Sequence, residues 1–298
     1  MATADQLEVM PGPGREVISI VIPSWSGDVD RVRRSIEEQT FGDYTIYVVR
    51  HVSPAARARN IGVAASKGEF ILFIDDDAYL GHSRVLETLV AMLRKDPTIG
   101  IAGPSKLIPP GATRMQRRIA DEVPRWVYPV VQRDTESNPP LDGYGFTGMT
   151  TTCCILRRTT FESVHGFDED LPTGPEDTEF FYRLRRDGLR FVIPASCWVY
   201  HDPPRTSRAL LRKSFHYGIG HALEARKAPE RRMAVIPLQP WYGKALVLAY
   251  LLLFPVSILL SVYLEPVRHV KVGFRPLKAL STLATLLGYV WGWYRDAP

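Results

Sequence analysis

Short apolar runs alternate with amphipathic stretches through the first hundred residues of the chain. Apolar runs of strand length, rich in β-branched and aromatic residues, occupy residues 17–22, 44–49, 70–74 and 99–102. The stretches between them, residues 28–39, 55–66 and 83–94, predict helices. The last of these carries one apolar stripe at helical spacing, formed by Val85, Leu86, Leu89, Val90 and Leu93. This alternation predicts an α/β fold with a mainly parallel sheet and helices on its faces.

The alternation stops after residue 103 and resumes near residue 150. Residues 104–145 are rich in Pro and Arg and show no long periodic element, which is typical of a functional or disordered segment. Strands are expected again at residues 150–156, 189–193 and 196–200, and helices at residues 158–165 and 176–186. We therefore expect one domain over residues 16–203. Residues 1–15 lack the apolar core of a signal peptide and are expected to form a disordered tail.

The C-terminal third is much more apolar. Residues 241–264 carry Lys244 as their only charge and are long enough to cross a bilayer core. Residues 277–294 form a second apolar stretch, which ends in aromatic residues of the types enriched at membrane interfaces. Two buried core helices would show a similar composition, but the unbroken apolar length favours membrane association. We expect residues 241–298 to form membrane-associated helices, either spanning the membrane or bent into a shallow hairpin at Pro255.

The net charge of +5 is concentrated just before these apolar segments. Residues 205–232 hold eight Lys and Arg residues against two Glu, which indicates an anionic partner. Apolar residues recur there at helical spacing, namely Leu210, Leu211, Phe215, Ile219 and Leu223. We therefore assign residues 204–240 to a basic amphipathic segment on an anionic membrane surface, with the preceding domain on the cytoplasmic face of the plasma membrane. Nucleic acid is not an expected partner, because no nucleic-acid reader motif occurs.

Two acidic clusters carry the candidate chemistry. Asp75, Asp76 and Asp77 follow the third apolar run, and the carboxyl ends of strands in α/β sheets are where ligands bind. Neighbouring carboxylates repel unless a cation shares them, and Mg²⁺ or Mn²⁺ prefers such oxygen ligands. Glu176 and Asp177 begin a predicted helix, and a carboxylate there can act as a general base if its pKa is raised. A solvated acidic turn and an ordinary acidic helix start are the alternatives.

The order of the motifs resembles that of the family-2 glycosyltransferases of the GT-A fold. The resemblance extends over residues 17–203, and its pieces are SIVIP at 19–23, ARNIG at 58–62, FIDDD at 73–77, GFDE at 166–169, EDTE at 176–179 and VYH at 199–201. It implies a Rossmann-like catalytic domain with a mainly parallel central sheet. The C-terminal third is similar to that of membrane-attached members that build exopolysaccharides or lipid-linked glycans of the cell envelope.

The resemblance also implies an activity and a metal. A nucleotide-diphospho-sugar would be the donor, and a glycan or polyprenyl-linked hydroxyl would be the acceptor in an inverting single displacement. Mn²⁺ or Mg²⁺ would be bound by Asp75 and Asp77, with His201 as a third ligand or as a structural histidine at a strand end. Asp177 would be the base that deprotonates the acceptor, and Glu176 is the second candidate for that role.

Further site residues follow from the same resemblance. Donor contacts are expected from Pro23, Arg57, Arg59, Asn60, Asp75 and Asp76. Acceptor contacts are expected from Arg118, Trp126 and Gly148. Residues 50–53 lack the acid that the family commonly uses at this position to read the nucleotide base, so the donor nucleotide stays open.

Two other functions are compatible with parts of the sequence. A nucleotidyltransferase acting on a sugar phosphate would also bind nucleotide and metal on an α/β sheet, but residues 23–27 are a poor phosphate-binding loop. A non-catalytic membrane scaffold would use the acids only structurally. The three cysteines, Cys153, Cys154 and Cys197, show no metal-ligand spacing and predict reduced thiols.

Overall fold

The fold is given by a computed structural model that describes residues 6–139, 141, 149–171, 174–227, 241–264 and 270–295. Gly148 and residues 228–240 of the expected interfacial segment lie outside the described residues. The elements of the first half are β1 (Leu7–Pro11), β2 (Ile18–Ser24), α1 (Asp30–Glu37), β3 (Tyr44–Arg50), α2 (Ala55–Ala65), β4 (Phe70–Ile74), β5 (Ala78–Leu80), α3 (Val85–Lys95), β6 (Ile99–Ala102), β7 (Ser105–Leu107), α4 (Arg114–Glu122) and β8 (Thr135–Glu136).

The second half contains the remaining elements. These are β9 (Cys153–Arg157), α5 (Arg158–Ser163), α6 (Glu176–Arg186), β10 (Arg190–Ile193), β11 (Trp198–His201), α7 (Ser207–Lys227), α8 (Trp241–Leu259), β12 (Ser261–Leu264), β13 (Val270–Gly273) and α9 (Pro276–Arg295). A short 3-10 turn, Pro124–Trp126, follows α4 within the segment for which the sequence predicts no long element.

Eight strands form the central sheet in the order β1-β3-β2-β4-β9-β6-β10-β8. β2 pairs in parallel with β3 and β4, and β6 pairs in parallel with β10. β9 is antiparallel to both β4 and β6, so β2, β3, β4, β6 and β10 all run in one direction. The mainly parallel sheet is thereby confirmed. The disordered tail needs correction, because Leu7–Pro11 form an edge strand that is antiparallel to β3.

Successive side chains of each strand point to opposite sides of the sheet, so both faces carry apolar residues. Helices cover both faces. On one face, Ile18, Ile20 and Ile22 of β2 pack in a cluster that includes apolar side chains of α1 and α3. On the other face, Val21 and Phe73 pack in a cluster that includes Phe161 of α5 and Phe180 of α6. The predicted stripe of α3 is fully buried in the first cluster. The three cysteines are buried free thiols.

A small second sheet, in the order β5-β11-β7, lies next to the three aspartates. β11 is antiparallel to β5, with His201 opposite Ala78. β11 is parallel to β7 on its other side, with Val199 opposite Lys106. This sheet therefore brings His201 and Lys106, which are distant in the sequence, to the end of β4.

The C-terminal helices differ from one another in exposure. α9 packs closely along α7, and Gly218 and Gly288 stand where the two backbones approach. Six residues of α9 are buried: Leu277, Ala279, Ser281, Gly288, Tyr289 and Gly292. In α8, by contrast, Leu252 is 73% exposed and Leu253 is 61% exposed. Of the helices in the described ranges, α8 is the one long and apolar enough to cross a membrane. The expected pair of membrane segments is thus reduced to one candidate.

Candidate active site

The three aspartates form the turn between β4 and β5, and each carboxylate has a different partner. Asp75 accepts a hydrogen bond from Arg59 at 3.0 Å. Asp76 accepts one from the Ser24 hydroxyl at 2.6 Å. An oxygen of Asp77 lies 3.3 Å from Nε2 of His201. The backbone N–H of Ala78 donates to the carbonyl of Asp75 at 3.1 Å, which closes the turn that holds the three side chains.

Asp75, Asp77 and His201 form a possible metal site, because one ligand atom from each lies within 4.8 Å of the others. Two carboxylates and an imidazole are a donor set that suits Mn²⁺ or Mg²⁺. Burial raises the pKa of Asp77, but His201 and Lys213 outweigh it and hold that pKa well below its usual range. Asp77 is therefore an anion available to a cation. The Trp126 ring stacks on His201 at 5.3 Å between centroids, which restricts the orientation of the imidazole.

Asp75 and Asp77 of the possible metal site, which we call the metal acids, are connected with the acidic start of α6 by Arg59 of α2. It is only 3% exposed, and its guanidinium donates to Asp75 at 3.0 Å and to Glu176 at 2.9 Å. Burial works against its charge, yet Asp75 and Glu176 raise its pKa above the ordinary value. The sequence places Arg59 among the donor contacts, and the structure shows its guanidinium bonded to these two carboxylates.

The two acids at the start of α6 have different environments. Glu176 is buried, bonds to Arg59, and accepts a hydrogen bond from the backbone N–H of Gly174. Asp177 accepts the backbone N–H of Thr178 at 2.7 Å and forms no ion pair within the described ranges. Desolvation and the neighbouring Glu176 raise the pKa of Asp177 to about 7, although Arg59 opposes this shift. A carboxylate with that pKa can accept a proton near neutral pH. This geometry favours Asp177 over Glu176 as the base.

The structure does not gather every residue predicted to bind the donor. Pro23 lies on β2 next to Ser24, whose hydroxyl donates to Asp76. Arg57 is an exposed residue of α2. The Asn60 amide donates to the Phe167 carbonyl and to Glu169, both at 2.9 Å, and it accepts the Phe167 N–H at 3.0 Å. Asn60 thus fastens the loop before α6 to α2.

The predicted acceptor residues are separated in the same way. Trp126 lies beside the metal acids and is only 3% exposed. Arg118 lies on α4, where it pairs with Glu122 at 2.7 Å. Glu122 in turn accepts the backbone N–H of Leu277 at 2.6 Å, at the start of α9. Arg118 therefore belongs to the contact between α4 and α9.

Three cations near the acids were not predicted as site residues. Lys106 of β7 is 4% exposed, Arg125 lies in the 3-10 turn, and Lys213 lies on α7. Burial lowers the pKa of Lys106 to about 8, with Lys213 and Arg125 adding to the effect and Asp177 and Asp75 opposing it. Lys106 stands alone in an irregular sequence, and Lys213 fits the polar side of a surface helix. No sequence signal marks either one.

Residues 3–216 match the protein-family model described as "Glycosyltransferase like family 2". Among curated proteins, the chain is 27% identical over 168 residues to the O-antigen biosynthesis protein RfbC of Myxococcus xanthus, covering 55% of the chain and 13% of RfbC. It is 28% identical over 200 residues to the succinoglycan biosynthesis protein ExoM of Rhizobium meliloti (strain 1021), covering 63% of the chain and 59% of ExoM. The chain therefore spans less than two thirds of the length of these relatives.

One solved structure resembles nearly the whole chain. The mannosyltransferase PcManGT of Pyrobaculum calidifontis, solved in complex with GDP-Man and Mn²⁺, superposes with a TM-score of 0.58 and 15% sequence identity. The match covers 97% of this chain and 90% of that one. At this identity the likeness shows that the two chains share a fold.

Proposed function

The chain belongs to glycosyltransferase family 2, and from this premise we propose that it moves a sugar from a nucleotide-diphospho-sugar to a hydroxyl of a glycan acceptor. Membership of the family makes the protein a glycosyltransferase, which sets aside both the nucleotidyltransferase and the non-catalytic scaffold. One observation supports the proposed reaction in detail. The possible metal site, formed by Asp75, Asp77 and His201, and the carboxylate of Asp177 lie around the buried Arg59.

The proposed step is a single displacement with inversion at the anomeric carbon. Asp177 takes the proton of the acceptor hydroxyl, and the acceptor oxygen forms a bond to the anomeric carbon. The bond from that carbon to the diphosphate oxygen breaks, and its electron pair leaves with the nucleoside diphosphate. No covalent enzyme nucleophile is needed. The pKa of about 7 lets Asp177 accept the proton at neutral pH and release it to water afterwards.

A divalent cation held by Asp75, Asp77 and His201 would neutralise the charge that develops on the leaving diphosphate. The donor set of these three residues supports Mn²⁺ or Mg²⁺ in this position. Arg59 positions Asp75 through a hydrogen bond. Because Arg59 also bonds to Glu176, it fixes the distance between the metal acids and α6.

Cell-envelope polysaccharide synthesis is the process that the relatives favour for this chain. RfbC and ExoM are named for O-antigen and succinoglycan biosynthesis, respectively. A polyprenyl-linked glycan is the acceptor that we propose, because it would bring the reacting hydroxyl to a membrane-attached enzyme. The donor nucleotide stays open, since residues 50–53 offer no carboxylate for base recognition.

Membrane attachment is supported by two features of the C-terminal region. α8 exposes a row of apolar side chains that includes Leu248, Leu252 and Val256, which are 58%, 73% and 54% exposed. Arg208 and Arg212 lie on the exposed side of α7, where they suit anionic headgroups. We propose that α8 enters the bilayer and that the catalytic domain stays at its cytoplasmic face.

A donor screen tests the proposed activity. Membranes containing the full chain are incubated with a polyprenyl-diphosphate-linked glycan, Mn²⁺ and one nucleotide sugar at a time, and release of nucleoside diphosphate is measured. We expect release with at least one donor, we expect the metal chelator EDTA to abolish it, and we expect Asp177→Asn to lower it by about 100-fold or more. Release that is unchanged in Asp177→Asn would contradict the role of this residue, and no release with any donor would contradict the proposed reaction.

A further inference from the structure

Lys106, Arg125 and Lys213 come from three elements and converge on one side of the metal acids. The Lys213 ammonium lies 4.8 Å from the centroid of Trp126, and the Arg125 guanidinium lies 5.6 Å from the same ring and 4.8 Å from that of Tyr217. Trp126 stacks directly on His201. Lys213 and Arg125 thus lie beside the ring that stacks on His201, and Lys106 is close enough for their charges to act on it. We call Lys106, Arg125 and Lys213 the cation cluster.

Two members of the cation cluster have no bonded counterion. Within the described ranges, neither the Lys106 nor the Lys213 ammonium makes a hydrogen bond or ion pair with a side chain. Lys106 is buried with its backbone fixed, since its N–H and C=O bond to Tyr128 at 3.0 and 2.7 Å. Buried ammonium groups are costly unless an anion pairs with them. The carboxylates that act on them from nearby are Asp75, Asp77 and Asp177.

Those carboxylates cannot balance the cation cluster during the reaction. Asp75 and Asp77 would be shared with a divalent cation, and Asp75 already bonds to Arg59. Asp177 loses its charge when it takes the acceptor proton. The positive charge of Lys106 and Lys213 is then left without a carboxylate to balance it, and an anion with two or three negative charges would do so.

Resting on the proposed function, we propose that Lys106, Arg125 and Lys213 bind a diphosphate group and hold it against the metal acids. A diphosphate provides several acceptor oxygens, which can meet cations on one side and a metal ion on the other. Trp126 contacts both His201 and Lys213, so a group bound at Lys213 would lie near the metal site. The closeness to Asp75 and Asp77 favours the leaving nucleoside diphosphate as its source, and a lipid-linked diphosphate is the other source with the same chemistry.

Binding measurements test this role without turnover. The full chain in detergent with MnCl₂ is titrated calorimetrically with UDP, GDP, UMP, GMP and farnesyl diphosphate. The variants are Lys213→Ala, Lys106→Met and the charge-preserving Lys213→Arg. Lys95→Ala is the matched control, because Lys95 is an exposed lysine on α3 outside the site. Loss of a charged hydrogen-bonding partner lowers affinity by about tenfold or more.

We expect Lys213→Ala and Lys106→Met to lower the affinity for the diphosphate probes at least tenfold and the affinity for the monophosphates less than threefold. Lys213→Arg should recover most of the lost affinity. A loss seen with UDP or GDP assigns the cation cluster to the leaving group, and a loss seen only with farnesyl diphosphate assigns it to the acceptor. Equal losses for monophosphates and diphosphates, or no loss, would overturn the proposal. If diphosphate binding behaves as expected but no nucleotide sugar is consumed, the proposed function fails and the diphosphate site stands.

Discussion

Arg59 joins two acid clusters that are far apart in the sequence. Its guanidinium bonds to Asp75 in the turn after β4 and to Glu176 at the start of α6. A buried cation between two carboxylates contributes little net stability compared with an apolar replacement of the whole set. Removing the cation alone is different, because it leaves two carboxylates facing each other without compensation.

Replacing Arg59 by methionine should therefore destabilise the protein by about 3 kcal/mol, the size found when one partner of a buried pair is removed. Urea unfolding followed by circular dichroism measures this change. Arg57→Met is the matched control, because Arg57 is an exposed arginine two residues earlier on α2. It should change the free energy of unfolding by about 0.5 kcal/mol at most. Equal effects of the two changes would show that Arg59 does not hold the acids together.

Protonation of Asp177 should set the lower pH limit of the activity. Its pKa is raised to about 7, and the base must be ionised to take a proton, so kcat/KM should rise with pH up to about 7 and then level off. Asp177→Asn should lower kcat by about 100-fold or more. Asp187→Asn, which alters an exposed aspartate just after α6, should leave the profile unchanged. An unchanged acidic limit in residual Asp177→Asn activity would assign that limit to another group.

The raised pKa of Asp177 also has a consequence for stability. Between the ordinary aspartate pKa and about 7, the folded protein holds a proton that the unfolded chain has lost. The contribution of Asp177 to stability is therefore complete below the ordinary aspartate pKa, falls as the pH rises from there to about 7, and is lost above that pH. Asp177→Asn should remove this slope, which urea unfolding at pH 5, 6, 7 and 8 would show. A slope that persists unchanged in the variant would contradict the raised pKa.

At the scale of elements, the pairing of β5 with β11 decides where His201, the proposed third metal ligand, lies. His201 stands opposite Ala78, so its ring meets Asp77 directly. His201→Ala should weaken Mn²⁺ binding by about tenfold or more, since one of three protein ligands is lost. Electron paramagnetic resonance of free Mn²⁺ measures this affinity. His165→Ala, in the turn after α5, is the control and should leave it unchanged. Equal affinities for wild type and His201→Ala would make His201 a structural residue.

The close crossing of α7 and α9 depends on glycine. A Cβ on Gly288 would collide with the backbone of Phe215, which cannot move aside without separating the helices. Gly288→Ala should therefore lower the free energy of unfolding by about 1–3 kcal/mol, despite the higher helix propensity of alanine. Gly111→Ala is the control, because nothing lies within 4 Å of a Cβ at that position. A stabilising effect of Gly288→Ala in thermal unfolding would rule out the close approach.

The sequence predicts these elements much better than their mutual contacts. The α3 stripe and the run before Asp75 follow from local periodicity, and both are buried as expected. Arg59, Lys106 and Lys213 acquire their roles only through partners on other elements, which no local pattern encodes. The apolar composition of α9 is likewise compatible with a bilayer or with a neighbouring helix. Its glycines and small residues face α7, and composition alone does not show this tertiary contact.

At the scale of the whole molecule, the catalytic domain is followed by a helix with an exposed apolar surface. α8 shows Leu248, Leu252 and Val256 to solvent at four-residue spacing, which places them on one face. Exposed apolar patches of this kind mark interaction surfaces. Because α7 and α9 bury their apolar sides against each other, α8 is the part of this region with the most apolar surface left to cover.

Membrane attachment through α8 predicts the outcome of adding charge to this face. Replacing Leu248, Leu252 and Val256 together by glutamate should move most of the full-length protein from the membrane fraction to the supernatant. Each acidic residue near the bilayer centre costs about 2.5–3.5 kcal/mol, so three of them outweigh the apolar gain of the helix. The matched control replaces the same residues by alanine, which keeps the helix apolar and should keep the protein on membranes. Liposome flotation with anionic vesicles measures both variants, and circular dichroism verifies that they stay folded. If the folded glutamate variant still floats with the vesicles, α8 is not the anchor and the basic side of α7 would have to bind the membrane without it.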